Sequence, residues 1–319
     1  MTQAGPDRVP FAAQTIEATL SPFAEFVVLK IGPREEDLEA TRAALADVPD
    51  LLKTVGFRDL SARLTCVVGI GSAAWSRLAP GRAPAELRPF EAIVGPKHTA
   101  VSTPGDLLLH VRAERADLCF EFVRLLTASL GDAVTVEDDT SCFRYFDARD
   151  LLGFVDGTAN PVGADAAASA LVGDDDPGFA GGSYVVVQKY LHDLDAWGQL
   201  GEDEQARIVG RRKSDNVELP DAEFGQKSHK TLATIEDDDG EHDILRDNMP
   251  FGRAAHGEFG TYFVGYSGRA WVTLEMLRRM FLGDPPGLSD RILDVSHAVT
   301  GALFFAPSAA LLETITTAR

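Results

Sequence analysis

The order of strand-like and helix-like segments repeats along this chain, and that order restricts the folds open to it. The first half has the order strand, helix, strand twice, and the second half has two further strands that each lead into a helix. Strands are expected at residues 26–31, 64–70, 106–112, 135–146, 182–190 and 261–266, and helices near residues 35, 117, 194 and 271. A split βαβ order of this kind predicts an α+β fold with antiparallel sheets and helices on one face.

The chain is long enough for two domains, since 319 residues exceed the usual domain size of about 100 to 200 residues. A tract rich in proline and aspartate, residues 161–177, precedes the first strand of the second half. We therefore place the two halves at residues 1–150 and 151–319.

A short internal similarity agrees with two related halves. Val68-Gly69 is followed by Trp75, and Val264-Gly265 by Trp271, each tryptophan six residues after its glycine. In both places a strand ends and a helix begins. Matches of this size also arise by chance, so at this point both a repeat and a coincidence remain open.

Composition restricts the partners of the chain. Thirty basic against forty-nine acidic residues leave a formal charge of −19, which repels nucleic acid and anionic membranes. Cys66, Cys119 and Cys142 lie far apart without CxxC spacing, which predicts reduced thiols. Residues 1–10 carry no secretion or twin-arginine signal, and the apolar runs are shorter than the roughly 20 residues of a membrane span. We expect a cytoplasmic protein that binds neither nucleic acid nor membrane.

The segment from Asp150 to Pro161 is the most informative stretch of the sequence. Gly153 and Gly157 bracket Asp156 behind an apolar pair, which predicts a tight backbone bend that presents the carboxylate at a defined point. An Asp-Gly pair by itself more often forms a solvated turn. Both interpretations fit the residues alone.

A second polar stretch contains His229, the acidic run 237–240 and the segment 241–248. The acidic run ends in glycine and is most simply a hairpin turn, although histidine and carboxylate side chains together could also bind a metal. It lacks the ligand spacing and the bidentate glutamate of an EF-hand. The hairpin is the favoured interpretation.

Taken together, these stretches resemble the dye-decolourising peroxidases, most closely their bacterial B-type. The family's glycine-x-x-aspartate-glycine signature stands here as Gly153-Phe-Val-Asp156-Gly157, inside GFVDGTANP. The resemblance covers nearly the whole chain, with STPGDLL at 102–108, FRYFD at 143–147, GGSYVVVQKYLHD at 181–193, ILRDN at 244–248, SDRILD at 289–294 and VTGALFFAPS at 299–308.

The resemblance implies two ferredoxin-like halves, as in dimeric α+β barrels, with haem b held mainly by the second half. His229 matches the family's proximal histidine, the axial ligand of the haem iron, and Asp290 matches the proximal carboxylate. A neutral imidazole is a usual fifth ligand, and a carboxylate on its second nitrogen fixes the tautomer. Arg211 matches a position that pairs with a haem propionate, although a solvated basic patch with Arg212 and Lys213 fits it nearly as well.

On the distal face, the resemblance assigns Asp156, Arg246 and Asn248. A bound peroxide must lose a proton, regain it on the leaving oxygen and have its developing charge stabilised, which a carboxylate and a guanidinium can do. The implied activity is a peroxidase that reduces hydrogen peroxide through a ferryl-oxo porphyrin radical. That species then oxidises dyes, phenols or other one-electron donors. A non-catalytic haem-binding or haem-trafficking protein is the alternative.

Some features of the sequence are not explained by this resemblance or depart from the pattern of some family members. Ala159 stands where some relatives have a carboxylate, which puts manganese binding there in doubt. Some relatives also have a tail that docks into an encapsulin shell, and residues 311–319 give no support for such docking. The family's habit of assembly predicts a homo-oligomer. Tryptophans 75, 197 and 271 fit core positions better than electron relays. The remaining histidines, at 98, 110, 192, 242, 256 and 297, have no partner pattern.

Overall fold

The computed structural model describes residues 13–317 except residues 19, 223 and 239. The polar stretch 1–10, on which the expectation of no export signal rests, lies outside the described residues, and so do residues 318 and 319. Within the described ranges, no helix combines the length and hydrophobicity that a membrane span requires.

The N-terminal half forms a four-stranded antiparallel sheet covered by helices. Its elements are β1 (Phe23–Ile31), α1 (Glu35–Ala46), α2 (Val48–Gly56), β2 (Thr65–Gly71), α3 (Ser72–Leu78), β3 (Ile93–Val94), β4 (Thr99–Ala100), β5 (Leu107–Ala113), α4 (Ala116–Leu130) and β6 (Val134–Phe143). The main strands lie in the order β6, β1, β5, β2. α1 and α2 are separate helices, and Pro49 lies in the first turn of α2, where its missing N–H costs no hydrogen bond.

The C-terminal half has the same arrangement of strands. Its elements are α5 (Ala164–Ala170), β7 (Ser183–His192), α6 (Leu194–Gln199), α7 (Glu202–Val209), α8 (His229–Leu232), β8 (Ile235–Asp237), β9 (Gly240–His242), β10 (Leu245–Arg246), β11 (Met249–Arg253), β12 (Glu258–Ser267), α9 (Ala270–Leu282), β13 (Ser296–Ala298), β14 (Ala302–Ala306) and α10 (Ala309–Thr317). The order β14, β7, β12, β11 places the strands of this half as fourth, first, third and second in the sheet. The first half has the same order.

Two strand pairings join the halves into a closed barrel. Cys142 on β6 lies opposite Phe251 on β11, and Ile70 on β2 lies opposite Phe305 on β14. The ring runs β11, β6, β1, β5, β2, β14, β7 and β12, which pairs again with β11. The α+β class and the two ferredoxin-like halves are therefore confirmed.

The glycine and tryptophan similarity does not mark equivalent elements, and as evidence for the repeat it was wrong. Trp75 follows β2, the second strand of its half, whereas Trp271 follows β12, the third strand of its half. The strand that corresponds to β12 is β5, which leads into α4. Two halves do exist, but the match of the tryptophans is a coincidence of local sequence.

Alternation along the barrel strands separates two buried faces. On β1, Phe26 and Val28 point into the barrel, where they pack with Leu108 and Tyr262. Val27 and Leu29 belong to the larger cluster on the outer face, which the helices cover. Because both faces are buried, these strands are nearly continuous apolar runs.

We expect Phe305→Ala to lower the free energy of unfolding by about 3–5 kcal/mol. The Phe305 ring is fully buried where the halves meet, and it makes edge contacts with Trp75, Phe179 and Tyr184. Urea denaturation monitored by circular dichroism measures the loss. Phe120→Ala is the matched control, because that ring is 61% exposed and its removal should change stability by less than about 0.5 kcal/mol. Equal losses for both variants would contradict the packing argument.

Candidate active site

The signature loop forms the tight bend that the glycines predict. Gly153 and Gly157 have φ values of 92° and 75°, a backbone region that favours glycine. The Asp156 backbone N–H donates to the Ala148 carbonyl at 3.0 Å, and the Asp156 Oδ1 accepts from the Gly157 N–H at 2.7 Å. These contacts fix the Asp156 carboxylate at the wall of a cavity.

A strand segment carries the other two expected distal residues to the same cavity. Arg246 and Asn248 alternate along residues 245–249, and both side chains line the cavity wall. The Asn248 Oδ1 accepts the Val264 backbone N–H at 3.3 Å, so this side chain takes a place normally held by a backbone carbonyl.

Asn160 clamps the signature loop to this strand, a contact that the sequence did not predict. Its side-chain Nδ2 donates to the Arg246 carbonyl at 2.6 Å, and its Oδ1 accepts the Arg246 N–H at 3.0 Å. The amide therefore pairs with the Arg246 peptide as a neighbouring strand would. Its position in GFVDGTANP is the only signal that could have pointed to it.

The expected proximal pair is also in contact. The His229 Nδ1 lies 2.7 Å from the Asp290 Oδ2, although the two residues are 61 positions apart. His229 is the first residue of α8, which Ser228 caps through the Thr231 N–H. Asp290 is fully buried, and its Oδ1 accepts the Ile292 N–H at 3.0 Å.

The pKa of His229 reflects two opposing influences. Burial lowers it, but the charge of Asp290 and the hydrogen bond to it raise it by more, so the pKa lies above its ordinary value of 6.5. Because Nδ1 faces Asp290, Nε2 is the ring nitrogen available to the cavity.

The cavity that these residues share has a volume of about 230 Å³ and walls of mixed chemistry. His229 lines it together with the three expected distal residues, Asp156, Arg246 and Asn248. Apolar side chains form much of the remaining wall: Leu152, Phe154, Val209, Phe263, Met276, Leu277, Met280 and Ile292. A carboxylate-paired imidazole in an apolar cavity, with polar groups gathered elsewhere on its wall, suits the haem expected from the sequence.

Arg211 lies on the cavity wall, and its side chain is only 15% exposed. Its guanidinium is paired with the Glu218 carboxylate and also donates to the Asn216 carbonyl at 3.2 Å. The position suits an anionic edge of a bound group, but Glu218 holds the guanidinium in this structure. Arg212, by contrast, is half exposed and pairs with Asp215.

The acidic run forms the expected hairpin. Ile235 pairs with His242, and Asp237 pairs with Gly240 at the turn. In the part of the chain that the structure describes, no group of three or more histidine, cysteine, aspartate or glutamate side chains could hold a metal ion. The hairpin interpretation is therefore confirmed for the described residues; Asp239 lies outside them.

Two histidines without a predicted partner also line the cavity. His192 contacts the Thr261 hydroxyl at 2.9 Å, and its other ring nitrogen contacts the Ser296 hydroxyl at the same distance. His242 contacts Asp237 at 2.8 Å. Neither histidine is paired with a buried carboxylate as His229 is.

The tryptophans occupy two kinds of environment. Trp75 and Trp197 are buried, at 2% and 4% exposure, in agreement with the prediction of core positions. Trp271 is half-buried and packs edge-on against the His242 ring, with 4.9 Å between the ring centroids.

Burial raises the pKa values of two carboxylates in the signature segment, Asp156 and Asp150. It raises the pKa of Asp156, and the positive charge of Arg246 opposes that rise. Asp150, to which the sequence assigned no role, also lines the cavity. Burial and then the charge of Asp156 raise its pKa from 3.8 to about 7, while its Oδ1 accepts the Phe154 N–H at 2.9 Å.

Comparison with protein-family models gives the identity. The model "Dyp-type peroxidase, N-terminal" matches residues 7–144, and the model "Dyp-type peroxidase, C-terminal" matches residues 147–311. The chain belongs to the Dyp-type peroxidase family. The two matches agree with two halves, and the boundary at residue 150 stays a prediction.

Individual relatives resemble this Dyp-type peroxidase over almost its full length. The dye-decolorizing peroxidase of Mycobacterium tuberculosis is 53% identical over 302 residues, which cover 94% of this chain and 89% of the relative. Among solved structures, DyPB from Rhodococcus jostii is 54% identical with a TM-score of 0.92, over 95% of this chain and 98% of that one. The encapsulated DyP-type peroxidase from Mycobacterium smegmatis is 50% identical with a TM-score of 0.91, over the same shares. A variant of the Rhodococcus jostii protein was solved in complex with heme, and a DypB variant was solved in complex with manganese. The chain is thus a peroxidase, an oxidoreductase.

We expect Asp150→Asn to change the pH dependence of stability. Between about pH 4 and pH 7 the folded protein holds a proton on Asp150 that the unfolded chain has released, so this group lowers stability as pH rises. Asparagine removes that dependence. The stability of the variant relative to wild type should rise by up to about 1.4 kcal/mol per unit from pH 5 to 7 and then level off.

Urea denaturation of the haem-free protein at pH 5, 6, 7 and 8 measures this difference. Asp174→Asn, at an exposed carboxylate, serves as the control. A difference between Asp150→Asn and wild type that does not vary with pH would show that Asp150 titrates normally.

Proposed function

We propose that this Dyp-type peroxidase binds haem b through His229 and uses hydrogen peroxide to oxidise dyes, phenols or other one-electron donors. The observation that carries the proposal is one cavity lined both by a carboxylate-paired histidine and by Asp156, Arg246 and Asn248. The heme complexes of the Rhodococcus jostii protein support the cofactor. Bound haem supplies the electrons that reduce peroxide.

On the proximal side, Asp290 holds the His229 imidazole in a fixed orientation. With the proton on Nδ1, directed at the Asp290 Oδ2, the lone pair of Nε2 is free to bind iron. The partial transfer of that proton toward the buried carboxylate makes Nε2 more basic. The Ile292 N–H and the burial of Asp290 keep the carboxylate in place.

On the distal side, Asp156 transfers the proton and Arg246 stabilises the developing charge. The Asp156 carboxylate accepts a proton from peroxide and returns it to the leaving oxygen. The Arg246 guanidinium stays charged throughout and stabilises the negative charge that develops as the O–O bond breaks. The Asn248 Oδ1 accepts the Val264 N–H, so its amide N–H groups remain to orient the peroxide.

A non-catalytic haem carrier is not favoured, because the chain belongs to a family of peroxidases. Arg211 is assigned to a haem propionate, which would replace Glu218 as its partner. Because Ala159 provides no carboxylate, we do not propose manganese binding at that position.

We also propose a cytoplasmic homo-oligomer that takes small-molecule reductants and binds no nucleic acid. The formal charge of −19 supports the last point. Encapsulation is a property of the Mycobacterium smegmatis protein.

We expect His229→Ala to abolish or greatly weaken haem retention, since no other histidine combines cavity exposure with a buried carboxylate partner among the described residues. Haem titration followed by gel filtration and absorption spectroscopy measures retention. His297→Ala, at an exposed histidine, is the control and should bind haem normally. A five-coordinate, histidine-ligated spectrum in His229→Ala would show that the axial assignment is wrong.

We expect Arg246→Ala to slow the reaction with peroxide by about 10²-fold or more, the scale of losing one preorganised stabilising group. Rapid mixing of the haem-loaded protein with one equivalent of peroxide measures the rate from the absorption change. Arg253→Ala, at a mostly exposed arginine on β11, is the matched control. An unchanged rate in Arg246→Ala would remove this residue from the mechanism.

A further inference from the structure

Between the two expected distal residues lies a third side chain that points the other way. Along residues 245–249, Arg246 and Asn248 face the cavity, whereas Leu245 and Met249 pack against the interior cluster of the barrel. Asp247 alternates with the distal pair and is 3% exposed inside the barrel. A carboxylate at such a site needs a partner there.

The partner comes from the other half of the molecule. Arg112 on β5 is 1% exposed, and its Nη1 donates to the Asp247 Oδ2 at 3.0 Å. Its Nη2 donates to the Thr15 carbonyl, in a segment that covers this end of the barrel. The guanidinium therefore joins the N-terminal segment, the first sheet and the distal strand in one contact.

The other polar groups described around the ion pair of Arg112 and Asp247 carry no charge that would change its neutrality. The His110 Nδ1 contacts the Tyr266 hydroxyl at 2.7 Å, and its Nε2 lies 3.8 Å from the Asp247 Oδ2. Burial, and then the charge of Arg112, hold the pKa of His110 well below 6.5, so this ring is neutral. Arg112 is thus the cation that balances Asp247.

The strand needs this anchor because backbone pairing is interrupted here. β10 ends at Arg246, and β11 begins at Met249. Between them, the Asp247 N–H makes a long hydrogen bond of 3.2 Å to the Val264 carbonyl, and a side chain, Asn248, accepts the Val264 N–H. Side-chain contacts therefore add to the backbone pairing of Arg246 with Gly265 in positioning residues 246–248.

We propose that Arg112 is a positioning residue of the distal site: its buried ion pair with Asp247 fixes the peptide segment that carries Arg246 and Asn248. The inference rests on the proposed function of those two residues. Without the guanidinium, Asp247 is left as an uncompensated buried charge and turns toward water, which shifts both neighbours. Small displacements of groups that act on a reacting bond cost large factors in rate.

The electrostatics of the site support the same role. Burial is the main influence that raises the pKa of Asp156, and the negative charge of Asp247 adds to that rise. The Arg112 guanidinium lies against this charge, with its Nη1 3.0 Å from the Asp247 Oδ2. A change at Arg112 is therefore expected to affect the distal site both by moving the strand and by changing the electrostatic field at Asp156.

The test compares Arg112→Met with Lys189→Met in the haem-loaded protein. Lys189 is the control, since its Nζ pairs with the Asp138 carboxylate at 3.1 Å in a mostly buried place, with side chains 14% and 13% exposed, without contact to residues 246–248. We expect both variants to lose stability and to keep the wild-type haem spectrum. Only Arg112→Met should lose about tenfold or more in the rate with peroxide and in the affinity of the ferric protein for cyanide. The cyanide measurement reports distal donors without turnover.

Arg112→Lys keeps the charge but replaces the two guanidinium nitrogens that reach Asp247 and the Thr15 carbonyl with a single ammonium group on a different stem. We expect a loss of roughly threefold to tenfold, and this variant decides the matter if Arg112→Met does not fold. Rates and cyanide affinities within twofold of wild type in the folded Arg112 variants, or equal losses in Lys189→Met, would overturn the proposal. A wild-type protein that fails to bind haem or to react with peroxide would instead overturn the proposed function itself.

Discussion

The closure of two four-stranded sheets into one barrel is the constraint on which the rest of this structure depends. Because β6 pairs with β11 and β2 pairs with β14, every main strand has one face toward the barrel interior and one face toward helices or the cavity. Whether a side chain faces the interior then depends on its place in the alternation along the strand. Shifting the strand segment that carries Arg246 and Asn248 by one residue would exchange its two faces and bury these side chains among apolar ones.

The alternation of side chains explains how one short segment contributes residues to both the cavity and the barrel interior. Arg246 and Asn248 lie on the cavity side, and Asp247 between them lies in the interior. The segment is held on its cavity side by the Asn160 amide and on its interior side by Arg112. The first half of the protein therefore contributes to a cavity whose described lining residues, apart from Asp150, belong to the second half.

Each ionised group that is buried near the cavity has a partner of opposite charge or a strong hydrogen bond. Asp290 accepts from His229 and from a backbone N–H, and Arg246 faces the charge of Asp156. Where compensation is incomplete, the pKa moves instead, as the value of about 7 for Asp150 shows. Because an unpaired charge is costly at the low dielectric of the cavity, each charged group there must lie close to its partner.

Local patterns in the sequence predicted six of the eight barrel strands, the helices near residues 35, 117, 194 and 271, the bend around Asp156 and the hairpin after Ile235, since each depends on neighbouring residues. They missed β11 and β14. The site residues came from motifs. The structure places five of them on the wall of one cavity and the sixth, Asp290, against His229. Only the tertiary structure decided which strands pair, and it showed the match of Trp75 and Trp271 to be a coincidence. The contacts of Asn160 and Arg112 join residues 86 and 135 positions apart. No periodicity encodes such contacts, because they depend on the closure of the barrel.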